Sequence, residues 1–390
     1  MSMTARERIL TLLSGKRPDR VPWFGDLDYL AYAMTVRGER EKNFRSSDEY
    51  IDWHRELGVG FYLQGHSPFK TIIENCEIRE WREGDDRSRE GGDRSREGDD
   101  RFREIETPHG TLRECWSYRD ETFSEAPVEY LMKSADDIPA MRFIYENTRY
   151  EADYDYAVRR KAAIGDQGIL LCYVPKSPFM QLVVLEAGIE AVTMSALLEA
   201  EAFDSLIEVM DDAHCRAAEI ALNSTAEALM IPENLSAEMI GPRFFEQYMR
   251  GYQEKWIGKI RDAGKYSFIH MDGSLKGLLK EECSTGISVL EALTPDPVGD
   301  VAIEDFAEYA GDSKSVLWGG MPGVFFTDNV SDEDFEAHTR RMLDVMKREP
   351  RYVLGVADQV PPDAMLSRVK RVAEIVEEYG AYEALGREKI

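Results

Sequence analysis

The sequence predicts an α/β chain folded as a (β/α)₈ TIM barrel, with an antiparallel excursion inserted after the second barrel strand. Three observations predict it. Eight short apolar runs recur along the 390 residues. Most of them are continuously apolar rather than alternating, as expected of parallel strands covered by helices. The stretches between them have the length and apolar stripe of crossover helices. Eight such units favour a closed barrel over an open doubly wound sheet, and no GxGxxG follows an early strand. The chain reads as one barrel domain over 1–390.

The first element is a short amphipathic helix over 4–14, with Ile9, Leu10, Leu12 and Leu13 as its stripe; it stops at Gly15 before the Pro18 turn. The strands follow as VPWFGD (21–26), GVGFYL (58–63), GILLCYV (168–174), EALMIPE (227–233), YSFIHMD (266–272), SVLEAL (288–293), SVLWGG (315–320) and YVLGVAD (352–358). EAFDSLIEVMDDAHCRAAEIALNS and DFEAHTRRMLDVMKRE are typical of the intervening helices. The excursion spans 71–118: TIIENCEIREW (71–81) and FREIETPHGTLRECWSY (102–118) read as antiparallel strands, with a turn at Pro108, His109 and Gly110. Between them, 82–102 holds three seven-residue copies, REGDDRS, REGGDRS and REGDDRF. These are almost all charge and glycine and have nothing to bury, so they predict a weakly ordered hairpin tip rather than a coiled-coil heptad.

Lys and Arg number 48 against 74 Asp and Glu, a formal net charge of -26. Such a surface repels phosphate backbones and excludes nucleic acid or an anionic membrane as a partner. Five widely spaced cysteines without a CxxC pair indicate neither a disulfide framework nor a thiolate-rich zinc knuckle, and place the chain in a reducing cytoplasm. The N-terminal segment lacks the clean apolar region of a signal peptide, and no window reaches 18 apolar residues without charge.

Reactive groups of a (β/α)₈ barrel project from the C-terminal ends of its strands. Polar residues collect at those ends: Asp26, Asp28, His66, Glu233, Asn234, His270, Asp272, Glu291, Asp358 and Gln359. In FIHMDGS (268–274), His270 and Asp272 lie two apart on a strand and so face one side, and Gly273 lets the chain turn at once. An imidazole and a carboxylate facing one cavity can ligate a divalent metal or form a base with its orienting partner. The competing reading of His270 is a buried histidine satisfied by ordinary hydrogen bonds. Glu233 closes an apolar run and is costly to bury unless paired or metal-bound, while Asn234 or Ser236 can cap a following helix. Asp358 and Glu291 hold corresponding places on their strands, and a solvated-loop reading competes for Asp358.

The order of motifs resembles the uroporphyrinogen decarboxylase-like superfamily over nearly the whole chain outside the charged repeat. It is carried by ERILTLLSGKRPDRVPWF, PENLS (232–236), GKYSFIHMDGSLKGLL (264–279), GISVLEALTPDPVGD (286–300), LWGGMP (317–322) and YVLGVADQVPPDA (352–364). The decarboxylases of that superfamily bind substrate carboxylates with arginines after their first strand; here FGDLDYLAY follows Val21, Pro22 and Trp23, placing Asp26 and Asp28 there instead. The corrinoid-linked methyltransferases bind zinc through His-x-Cys and a later Cys. His270 matches the histidine, but Asp272 stands at the first cysteine and Ala357 and Asp358 at the second. The resemblance therefore implies an oxygen-rich site in which His270, Asp272, Glu233, Asp358 and Glu291 hold zinc or another divalent ion. His270, Asp272, Glu233 and Asp358 would be catalytic, and Asn234, Gln359 and Asp26 would contact the cofactor. The implied activity moves a methyl group from a small methoxylated substrate, an aryl methyl ether foremost, to cobalt(I) of a separate corrinoid protein. A carboxy-lyase and a non-catalytic ligand-binding barrel stay open as alternatives, and a homodimer is the family-based expectation.

Overall fold

A computed structural model describes residues 2–62, 65–82 and 100–382. Seven parallel strands form one curled sheet in the order Trp23–Phe24, Tyr352–Ala357, Val316–Pro322, Val289–Leu293, Tyr266–Met271, Ala228–Leu235 and Leu171–Tyr173. Phe61–Tyr62 and Gly168–Ile169 make a separate two-stranded parallel sheet. The expected closed ring of eight strands is thus not one continuous ladder. Pairing is interrupted at Leu170, which separates Gly168–Ile169 from Leu171–Tyr173, and among the described residues an isolated bridge between Phe24 and Gly60 joins the first strand toward the second.

Alternate strand residues face two cores, which is how period-two geometry sorts a sheet covered on both faces. Phe24, Tyr62, Leu171, Met230, Phe268 and Trp318 pack together within the curl, and Ile9 and Leu12 of the first helix, Ala5–Leu13, join that cluster. Thr4 begins this helix with a capping box to Glu7. The intervening residues, such as Leu229, Ile231, Ile269, Leu290 and Leu317, face the helices in a larger second core. The consequence for function is placement: the inner layer fills the floor, so side chains two residues beyond it stand at the C-terminal rim.

Between the second and third parallel strands the chain runs antiparallel. Phe69–Ile73 pairs with Thr148–Ala152, and Glu77–Arg82, Arg101–Thr107, Gly110–Arg119 and Ser124–Glu129 form a four-stranded sheet. At its tight turn the Thr107 hydroxyl accepts from His109 N at 3.1 Å and donates to the Gly110 carbonyl at 2.8 Å. Ile105 and Leu112 are buried on its inner face, beside the helix Ile138–Glu146. The charged heptapeptide copies of 82–102 lie, but for their ends, outside the described residues. No described helix is long and apolar enough to cross a membrane.

Candidate active site

Phe268 belongs to the inner core, so His270, two residues on, projects from the same face at the rim. Glu291 is directly opposite His270 in the register of the neighbouring strand. The His270 Nδ1 lies 2.7 Å from Glu291 Oε2, and Glu291 Oε1 accepts from the Tyr62 hydroxyl at 2.9 Å. Glu291 is 1% exposed, so each of its oxygens is committed in a site nearly shut off from water. On its other side His270 presents Nε2, 3.8 Å from Asp358 Oδ1.

Burial opposes a charge on His270, but Glu291, then Asp272 and Asp358, outweigh it and raise the imidazole to about 9. At neutral pH it is therefore a cation with a proton on each nitrogen. Asp358 is itself pushed above the usual carboxylate range, by burial first and by Asp272 and Glu291, with His270 opposing. Because 57% of its side chain is exposed, solvent screening blunts that rise. Asp272 is half-buried; its backbone N–H donates to the Leu235 carbonyl at 3.0 Å, and its carboxylate acts on His270 and Asp358 through space.

Asp26 follows the strand Trp23–Phe24 and is buried. Its Oδ1 accepts from Asp28 N at 2.8 Å and its Oδ2 from Gln359 Nε2 at 3.1 Å. Burial, then the charges of Asp28, Glu291 and Asp358, raise it well above the normal carboxylate value. Gln359 thus holds Asp26 in place. Asp28 pairs with Arg45 at 2.5 Å. A cavity of about 290 Å³ opens beside this group, lined by Asp26, Asp28, Arg45, Tyr62 and His66 among others. Three non-glycine residues at strand ends, Asn234, Ala292 and Asp358, have φ of 56°, 73° and 73°. Left-handed backbone at such residues is costly and tends to collect where a site fixes side-chain direction.

The structure does not bring Glu233 to His270. The strand register shifts between Ile231 and Leu235, and the Glu233 carboxylate turns to Ser177, whose N and Oγ both donate at 3.1 Å, and to Gln253 Nε2 at 3.2 Å. Gln253 Nε2 also donates to Glu282 Oε1 at 3.0 Å, so Glu233 belongs to a buried hydrogen-bond network instead. Asn234 lines a different cavity, with Phe69, Tyr150 and Lys176. Tyr62 is not among the strand-end candidates of the sequence; its signal is a hydroxyl at the end of an apolar strand, which needs a polar partner. Among the described residues, no group of three or more His, Cys, Asp or Glu side chains is arranged to hold a metal ion. Of the five residues that the sequence suggested as ligands, the structure gathers His270, Glu291, Asp272 and Asp358 and turns Glu233 away. What converges is a proton-holding pair, His270 and Glu291, ringed by Asp26, Asp272 and Asp358.

A family model described as Uroporphyrinogen decarboxylase (URO-D) matches residues 134–379. No curated protein matches the chain. Among solved structures, the octameric ribulose-1,5-bisphosphate carboxylase/oxygenase of Pyrococcus horikoshii OT3 aligns at 10% identity and a TM-score of 0.29, over 61% of this chain and 48% of that one. This chain thus spans about half the length of that match. A putative orotidine 5'-phosphate decarboxylase from Streptomyces avermitilis ma-4680 aligns at 11% identity and a TM-score of 0.26, over 57% of this chain and 95% of that one. Likenesses this slight carry no argument.

Proposed function

The chain belongs to the uroporphyrinogen decarboxylase (URO-D) family, and from that premise we propose that it is a methyltransferase moving a methyl group from a small methoxylated substrate to cobalt(I) of a partner corrinoid protein. The observation that carries this reading is His270, held as a cation by Glu291 at 2.7 Å with its Nε2 turned toward the rim. The corrinoid supplies the nucleophile. His270 supplies the proton: as the methyl carbon–oxygen bond breaks, its electron pair stays on oxygen, which takes the Nε2 proton and leaves as a neutral hydroxyl. Glu291 and Tyr62 fix the ring for that transfer, and Asp272 and Asp358 keep the proton on it until it is needed.

The same premise supports reading the two parallel sheets as one eight-stranded barrel, because Leu170 alone separates the two short strands that would close it. The family name also favours a carboxy-lyase, in which His270 would protonate carbon after loss of carbon dioxide. Opposing it for a polycarboxylate is the rim itself, where Asp28, Asp272 and Asp358 meet an incoming anion and Arg45 is engaged by Asp28. Incubation of the protein with methoxylated aromatic compounds under anaerobic, strongly reducing conditions tests the choice. Demethylated product formed only when cobalt(I) corrinoid is supplied is the expected outcome; carbon dioxide release without corrinoid would overturn it.

A further inference from the structure

A second cavity, of about 430 Å³, lies between the antiparallel excursion and the ends of the strands Leu171–Tyr173 and Ala228–Leu235. Its walls are apolar and aromatic, with Phe69, Ile105, Ile144 and Tyr150 among them. One end is polar and holds Lys176, Glu186, Tyr145 and His214. A volume of this order is that of a small-molecule pocket. Tyr173 lines it too, and burial, then the charges of Asp26 and Glu291, raise the Tyr173 phenol.

The polar end is unevenly committed. Glu186 accepts from the Tyr145 hydroxyl at 2.7 and 2.8 Å and from Gln181 Nε2 at 2.9 Å. Arg103 lies 2.8 Å from Glu114. His214 Nδ1 is 2.9 Å from the Lys176 carbonyl, and burial lowers that imidazole to about 4, so it stays neutral. Lys176 differs from these. Its ammonium donates to the Pro232 carbonyl, and among the described residues no carboxylate lies within 4.0 Å of it. Glu233 attracts it from a distance while hydrogen-bonding Ser177 and Gln253. A lysine so placed keeps donors to spare in a site that disfavours an unpaired charge. The Tyr150 hydroxyl likewise has no hydrogen-bond partner among the described residues.

We propose that this cavity binds a small aromatic monocarboxylate, the ring lying against Phe69, Tyr150 and Ile144 and the carboxylate accepting from Lys176. Aromatic walls favour a planar ring. Among the described lining residues, Arg103 is ion-paired with Glu114 and Lys176 is the cation with no carboxylate within 4.0 Å, so one negative charge is matched there and a second is not, which selects against polycarboxylates. The proposal rests on the methyl-transfer reading for one detail, that the natural ligand also carries a methoxy group, and on the geometry above for the rest.

Calorimetric titration of the full chain with benzoate, 4-methoxybenzoate and uncharged methoxybenzene is the test, repeated with Lys176→Met and with Ile144→Trp, whose indole would fill the cavity. Both carboxylates should bind the wild type at least about tenfold more tightly than methoxybenzene, and Lys176→Met should erase that difference. Ile144→Trp should weaken all three, with circular dichroism showing that each variant is folded. Equal binding of charged and uncharged rings by the wild type overturns the proposal, as does undiminished carboxylate binding by a folded Ile144→Trp. Benzoate has no methyl group to give. Benzoate binding without turnover of 4-methoxybenzoate would keep the pocket and sink methyl transfer, whereas turnover of methoxybenzene without benzoate binding would do the reverse.

Discussion

Protonation of His270 is the residue-scale quantity on which the proposed chemistry turns. Its folded value of about 9 lies above the ordinary histidine value of 6.5, so the pairing with Glu291 stabilises the fold fully below pH 6.5 and is lost as pH rises through about 9. We expect the His270 ring signals in an NMR titration to move near pH 9 in the wild type and at least one unit lower in Glu291→Gln. The thermal midpoint of the wild type should also fall more steeply than that of Glu291→Gln between pH 6.5 and 9. Coincident curves would show that Glu291 does not hold the proton. At this scale the sequence was informative where regular strand geometry holds: the two-residue spacing of His270 and Asp272 and the strand-end position of Asp358 were legible. Glu233 was not, because a register shift that only the neighbouring strand reveals turns its carboxylate toward Ser177 and Gln253. Nor was Tyr62 legible as Glu291's partner, since 229 residues separate the two in sequence.

Elements are set by how closely the strands approach. Gly168 shows this most sharply: a Cβ there would sit 1.7 Å from the Phe61 carbonyl oxygen, which the backbone cannot accommodate. Gly168→Ala should therefore cost more than about 3 kcal/mol, at or beyond the usual range for overpacking. Gly241→Ala, with nothing within 4 Å and an ordinary φ of -76°, is the matched control and should change stability little. Urea denaturation of both measures the contrast, and equal midpoints would contradict the pairing of Phe61–Tyr62 with Gly168–Ile169. The apolar runs located the parallel strands because burial on both faces removes alternation. The break in pairing at Leu170 was hidden, since a two-residue strand carries no periodicity to read.

For the whole molecule, the net charge of -26 dominates long-range behaviour. Self-repulsion among these charges should be screened by salt, so the thermal midpoint should rise between about 10 mM and 150 mM sodium chloride; a fall would indicate that attractive ion pairs outweigh it. The same field repels a polyanionic substrate from the rim and favours a neutral or singly charged one. Composition announced this property, whereas the cavity between the excursion and the strand ends arises only when distant segments meet. Single-turnover methyl transfer from a methoxylated aromatic compound to a reduced corrinoid protein, compared between wild type and His270→Gln, tests the central claim most directly. The account predicts transfer by the wild type and a loss of about 100-fold or more in the variant, the magnitude expected when a general acid is removed. Equal rates, or no transfer by the wild type with active corrinoid, would contradict it.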